Sequence, residues 1–212
     1  MTARASETPA RARGPRLELD AWGVVFCGGQ SRRMGRDKAL IVLGGATLIE
    51  RATRVLLELT PRVLLACGPT PRYPELGFEC VLDGAPDLGP LGGLEAALAR
   101  MEAAGGRYVV AVACDMPRVT AEVLRRLLAC ARAEAAGVTL VASGGREEPL
   151  CAVYDVAVLP AVRRALAAGE RRMIAFHGEV RVLRVPEAEL APGCARNLNT
   201  PAELAAFDEE GP

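Results

Sequence analysis

Lysine is almost missing from this chain. Of 26 basic side chains in 212 residues, 25 are arginine and one, Lys38, is lysine. Histidine is as scarce: His177 stands alone in "RRMIAFHGE", where it reads as a surface or interface residue. One imidazole excludes a zinc centre built from several histidines. Only Ser6, Ser31 and Ser143 are serines, and none stands in a G-x-S-x-G turn, so a serine triad of that type is excluded. Aromatics make up 4% of the chain, too few for a stacking platform on single-stranded nucleic acid. The formal net charge is zero, so no global field draws the protein to nucleic acid or an anionic membrane. Any anionic ligand must be held by local charge.

No apolar run approaches the roughly 18–20 residues of a membrane span. The seven cysteines (Cys27, Cys67, Cys80, Cys114, Cys130, Cys151 and Cys194) are spread singly. Without a C-x-x-C pair they give no support to zinc or thioredoxin-like chemistry and read as small buried hydrophobes. The opening "MTARASETPARARGPR" has no apolar segment, so it does not read as a secretory signal. It is Arg-rich and acid-poor, loosely like a transit peptide. Its prolines and glycine interrupt any helix, and residues 1–18 are expected to be a disordered extension. A reducing cytoplasm is the expected compartment.

Half the residues are hydrophobic and a quarter charged, the balance of an ordinary globular domain. Short apolar runs alternate with longer amphipathic ones, which predicts an α/β protein with a mainly parallel sheet. Strands are expected at Trp22–Cys27, Arg62–Cys67, Phe78–Leu82, Tyr108–Cys114 and Val138–Ser143, then at Leu150–Asp155 and Glu179–Val185. Helices are expected at Thr47–Leu59, Leu91–Gly106, Thr120–Gly137 and Val156–Ala168, with "NTPAEL" opening a short last one. Thr47 with Glu50 three residues later has the pattern of a capping box.

Ligands of open α/β sheets bind beyond the carboxyl ends of the strands. Three such ends carry special residues: Gly28 to Lys38 after the first strand, Asp83 after the third and Asp115 after the fourth. In "FCGGQSRRMGRDKAL" the glycines allow close backbone approach, and Arg32, Arg33, Arg36 and Lys38 add positive charge. It is neither a Walker A loop, which needs lysine directly after glycine, nor a G-x-G-x-x-G fingerprint. Asp83 and Asp115 each end an apolar strand, where a carboxylate either caps the following turn or is paired or bound to metal. Mg²⁺ typically takes one or two carboxylates plus substrate phosphates and waters. In "GPLGGL", Gly92 and Gly93 fall at a helix start, where they serve either an anion site or close helix packing. What remains is phosphoryl or nucleotidyl transfer by charge and positioning, which needs no protein nucleophile.

"FCGGQSRRMGRDKAL" resembles the first motif of the molybdenum cofactor guanylyltransferases, the MobA type. "DGAPDLGPLGGL", "ACDMP", "EPLCAVY" and "NLNTPAEL" resemble that family's later motifs in the same order. The resemblance implies a single-domain, Rossmann-like three-layer fold with a mixed, mainly parallel sheet, over residues 19–208. It implies transfer of GMP from GTP to the terminal phosphate of Mo-molybdopterin, with release of pyrophosphate. The nucleotide-binding residues it implies are Phe26, Cys27, Gly28, Gly29, Arg33, Lys38, Gly68, Asp83 and Gly92, with Asn199 toward the pterin. Lys38 would hold the triphosphate, Asp83 the guanosine part and Asp115 the Mg²⁺, making Lys38 and Asp115 the catalytic pair.

Two departures stand out. Phe26-Cys27 replaces the family's usual Leu-Ala, and Cys67-Gly68 stands where an Asn often helps hold the nucleotide, leaving a backbone contact near Gly68 as the substitute. Transient partners among cofactor-delivery proteins and molybdoenzymes are compatible with the resemblance, as is a monomer or weak oligomer. Rival readings are a CTP-dependent cytidylyltransferase, a sugar-phosphate nucleotidyltransferase and a non-catalytic nucleotide sensor of the same fold.

Overall fold

The computed structural model describes residues 18–28, 37–200, 203–204 and 206–207. The expectations for residues 1–17, for Gly29, Arg32, Arg33 and Arg36, and for part of the last helix lie outside the described residues.

Strand β1 (Ala21–Phe26) is buried at every position. A 3₁₀ turn at Lys38–Leu40 leads into a small hairpin, β2 (Val42–Leu43) and β3 (Ala46–Thr47). Then follow α1 (Leu48–Leu57), β4 (Val63–Ala66), β5 (Glu79–Val81), α2 (Gly89–Ala103), β6 (Tyr108–Ala113) and α3 (Ala121–Ala133). Strands β7 (Val138–Ser143) and β8 (Arg146–Asp155), helix α4 (Leu159–Ala167), β9 (Val182–Pro186) and the short α5 (Glu187–Leu190) complete the order.

Seven strands form one sheet in the order β5-β4-β1-β6-β8-β7-β9. All run parallel except β8, which pairs antiparallel with both β6 and β7. The continuous apolar character of β1 and β6 follows from burial on both faces. Val25, Val110 and Val112 pack with Ile49 and Leu56 of α1 and Leu124 and Leu127 of α3. On the other face Val24, Val109 and Ala111 pack with Leu94 and Leu98 of α2 and Val162 of α4. This is the expected three-layer arrangement.

Thr47 caps α1 as its sequence suggests: Glu50 N–H donates to Thr47 Oγ1, and Thr47 N–H donates back to Glu50 Oε2 at 2.7 Å. Such a cap stabilises by about 1 kcal/mol. Thr120 caps α3 in the simpler way, accepting from Val123 N–H.

Three expectations are corrected. The expected helix at Val156–Ala168 is a 3₁₀ turn, Val156–Val158, followed by α4. Pro160 lacks the N–H that would have bonded back to Val156, so a continuous α-helix cannot pass through that turn. Strand β8 starts four residues before Leu150, taking in the polar Arg146–Pro149. Gly144 and Gly145, with φ of 55° and 77°, form the tight two-residue turn that joins it to β7. His177 is not a surface residue, since its side chain is 7% exposed and its Nδ1 lies 2.8 Å from Glu147 Oε2.

Candidate active site at the carboxyl edge of the sheet

Parallel strands β4, β1 and β6 end side by side, and beyond them lies a cleft of about 560 Å³. Phe26, Cys27, Gly28, Lys38, Gly68, Asp83 and Asp115 all line it, so seven expected residues from five places in the sequence meet in one cleft. Its floor is backbone. A Cβ on Gly28 would stand 2.8 Å from the Cys67 carbonyl carbon and from Gly68 N, so only glycine fits there. Gly68 has φ +84°, a left-handed conformation that glycine adopts without strain, and its carbonyl accepts from Asp83 N–H at 3.1 Å. That bond ties the end of β4 to the residue expected to meet the guanosine.

Lys38 Nζ is ion-paired to Asp115 Oδ2 and donates to Asn199 Oδ1 at 2.9 Å. The lysine reaches this point because the 3₁₀ turn carrying it is anchored at its start. Asp37 Oδ1 caps the turn by accepting from Ala39 N–H, while Oδ2 accepts from the Arg72 guanidinium and from Tyr73 OH. Arg72 also donates to the Cys27 carbonyl at 3.4 Å, and the Tyr73 hydroxyl stands 3.5 Å from the same oxygen. The chain on either side of the glycine loop is thus clamped to the β4–β5 connection.

Asn199 is positioned by a capping box of its own. Glu203 Oε2 accepts from Asn199 N–H and Thr200 N–H, and Glu203 N–H donates to Thr200 Oγ1. Leu198 N–H donates to the Asp115 carbonyl at 2.9 Å, binding this segment to the end of β6.

The second carboxylate oxygen, Asp115 Oδ1, is buried and has no hydrogen-bond partner among the described residues. A desolvated anionic oxygen is costly unless something meets it, and a hard cation would do so. Asp115 therefore fits a Mg²⁺ ligand. Asp83 stands against the first turn of α2, and burial alone pushes its carboxyl above the ordinary range.

Of the two readings left open for Gly92, its surroundings match close helix packing. Helix α2 begins at Gly89, so Gly92 lies past the first turn, whose N–H groups a helix start leaves open. A Cβ there would be 2.5 Å from Leu88 Cβ, and close packing accounts for this glycine. Gly89, Pro90 and Gly93 line the cleft instead. Gly29 and Arg33 lie outside the described residues.

Sequence reasoning missed three lining features. Asn197 borders the cleft and hydrogen-bonds Glu148, whose carboxyl is pushed up by burial. Leu150 reaches the cleft at an irregularity in the β7–β8 ladder, where Leu140 pairs with Ala152 but Val141 pairs with Glu148. The Asp37–Arg72–Tyr73 clamp had no signal at all, because its partners are 35 and 36 residues apart. Asn197 could have been noticed beside Asn199 in "NLN".

A mixed sheet of this order, with a glycine floor, one lysine and aspartates at the ends of β5 and β6, is an arrangement suited to holding a nucleotide. The chain belongs to the MobA-like NTP transferase domain family, which residues 23–182 match. It is 34% identical over 189 residues to a molybdenum cofactor guanylyltransferase of Rhodobacter capsulatus, covering 88% of this chain and 94% of that one. It is 38% identical over 174 residues to a probable molybdenum cofactor guanylyltransferase of Opitutus terrae, covering 79% and 85%. The fold resembles that of molybdopterin-guanine dinucleotide biosynthesis protein A from Archaeoglobus fulgidus, with a TM-score of 0.73, 24% identity and coverage of 89% and 97%.

Proposed function

We infer that this chain transfers GMP from GTP to the terminal phosphate of Mo-molybdopterin. The observation that carries the reading is the ion pair of Lys38 and Asp115 at the cleft, with Asn199 bonded to the lysine and Asp115 Oδ1 left buried and unpaired. An oxygen of the molybdopterin phosphate forms a bond to the α-phosphorus of GTP. The bond from that phosphorus to the β-phosphate oxygen breaks, and pyrophosphate leaves in line.

Each residue has a distinct task. The Gly28 and Gly68 backbone lets the nucleotide lie against the floor. Asp83 accepts hydrogen bonds from the guanosine part, where a carboxylate matches the two adjacent N–H donors on the guanine edge. Lys38 exchanges its Asp115 partner for the triphosphate and stabilises charge moving onto the pyrophosphate. Asn199 keeps the ammonium aimed while that exchange occurs. When bound at Asp115, Mg²⁺ would neutralise phosphate charge and reduce repulsion between the two anionic reactants.

Guanylyl transfer is favoured over cytidylyl transfer by the names of the relatives quoted above. Calorimetric titration tests the nucleotide assignment. GTP with Mg²⁺ should bind well ahead of CTP, and equal binding would refute it.

A further inference from the structure

Beneath the cleft three free thiols stand in a row. Cys27 Sγ lies 3.7 Å from Cys67 Sγ, and Cys67 Sγ lies 3.4 Å from Cys80 Sγ. They come from three adjacent strand ends, with Cys27 following β1, Cys67 following β4 and Cys80 within β5. Across β4 and β5 Leu65 stands opposite Cys80, so Cys67 lies on the diagonal, where backbones are about 7–8 Å apart and a disulfide requires the backbone to move. Cys27 and Cys67 are buried, whereas Cys80 is partly open to solvent. Nucleotidyl transfer uses none of these sulfurs.

We propose that Cys67 and Cys80 form a reversible thiol–disulfide site that takes a hydroperoxide as its oxidant and controls the floor of the nucleotide cleft. The peroxide meets Cys80 first, as the accessible thiol. The Cys80 sulfur attacks one peroxide oxygen, the O–O bond breaks, and a sulfenic acid and one water (or alcohol) result. Cys67 then attacks the Cys80 sulfur, the S–S bond forms, and the sulfenic oxygen leaves as a second water carrying the thiol proton. Two thiols have lost two electrons, and the peroxide has gained them. The first step is slow, because burial pushes the Cys80 thiol up. The second is favoured, because a hydrogen bond from Cys27 holds the Cys67 thiol below its ordinary value.

The consequence for the cleft follows from lack of slack. A disulfide has an S–S length of about 2.05 Å, so closing a 3.4 Å gap draws the two sulfurs together by roughly 1.3 Å. Cys67 carries Gly68 by its peptide bond, and its carbonyl carbon already limits how close Gly28 can come. Cys80 also donates to the Arg72 carbonyl at 3.3 Å, and Arg72 is part of the clamp on Asp37. Movement here therefore disturbs both the floor and the anchor of the Lys38 turn.

The test uses the full chain, treated with hydrogen peroxide, digested without reduction and mapped by mass. A peptide pair linked through Cys67 and Cys80 is expected. GTP affinity should fall by about tenfold or more, which corresponds to about 1.4 kcal/mol of lost contact with the floor. Thiol reductant should restore it. Cys80→Ser should bind GTP like the parent before peroxide and keep that affinity after it. No linked pair, a Cys27–Cys67 link instead, or a linked chain that binds GTP unchanged would each overturn the proposal. Only the affinity arm rests on the nucleotide reading: a reduced chain that fails to bind GTP counts against that reading, and a missing link counts against the thiol site.

Discussion

The Lys38 ammonium and the Asp115 carboxylate, 77 residues apart in sequence, are ion-paired beside the cleft. Their side chains are 14% and 18% exposed, so each charge is largely removed from water and relies on the other. In the proposed reaction, a bound triphosphate with a divalent cation would give both groups new partners of the right sign. The pair is a resting arrangement of the two groups assigned to the chemistry.

Lys38→Ala should therefore lower turnover by about 10²–10³, the usual effect of removing one preorganised charge, while the chain stays folded. Lys38→Arg should be nearly as damaging, because a planar guanidinium cannot take the place of a compact ammonium between Asp115 and Asn199. Steady-state rates beside circular dichroism check both. Near-parental turnover in the arginine variant would show that charge alone suffices.

Asp115→Asn should abolish the dependence of turnover on Mg²⁺ concentration. The measurement is a Mg²⁺ titration of rate for parent and variant, and superimposable curves would place the metal elsewhere.

Asp83→Asn should raise KM for GTP more than it lowers kcat, since the guanosine end does not change during the reaction. Discrimination between GTP and CTP should narrow in the same variant. A pure kcat defect would mean that Asp83 acts at the reacting phosphates.

Acid should destabilise the fold through His177 and Glu147. Burial holds the His177 imidazole below its ordinary value, despite the opposing bond to Glu147. The unfolded chain thus takes up a proton near pH 6.5 that the folded chain resists. This contribution to stability is fully present above about pH 6.5 and is lost as pH falls toward the lowered folded value. Burial also pushes Glu147 up, but bonds to Arg184 and His177 outweigh it and leave its carboxyl lowered. A further loss should follow below about pH 4.5. Urea unfolding of parent and His177→Gln across pH 5–7 checks this, and the variant should show the flatter curve.

Much of this was legible in the sequence, for reasons that differ residue by residue. The buried strands β1 and β6 show as unbroken apolar runs because helices cover both faces. Thr47 and Glu50 show because a capping box is a local object. Gly28, Asp83 and Asp115 show because strand ends are where such sheets bind ligands. The direction of β8 was also recoverable, since Gly144-Gly145 between two β-type runs is a hairpin signal. By contrast, the burial of His177 depends on Glu147 and Phe176 folding around it, and no local pattern encodes that. The thiol row has the same origin: single cysteines at positions 27, 67 and 80 become neighbours only through the strand order β5-β4-β1.

Pyrophosphate release by the purified chain, with GTP or CTP and with or without Mo-molybdopterin, tests the central claim most directly. Release should require Mg²⁺, GTP and Mo-molybdopterin together and should be far slower with CTP. Equal release with CTP, or release that does not depend on Mo-molybdopterin, would contradict the account.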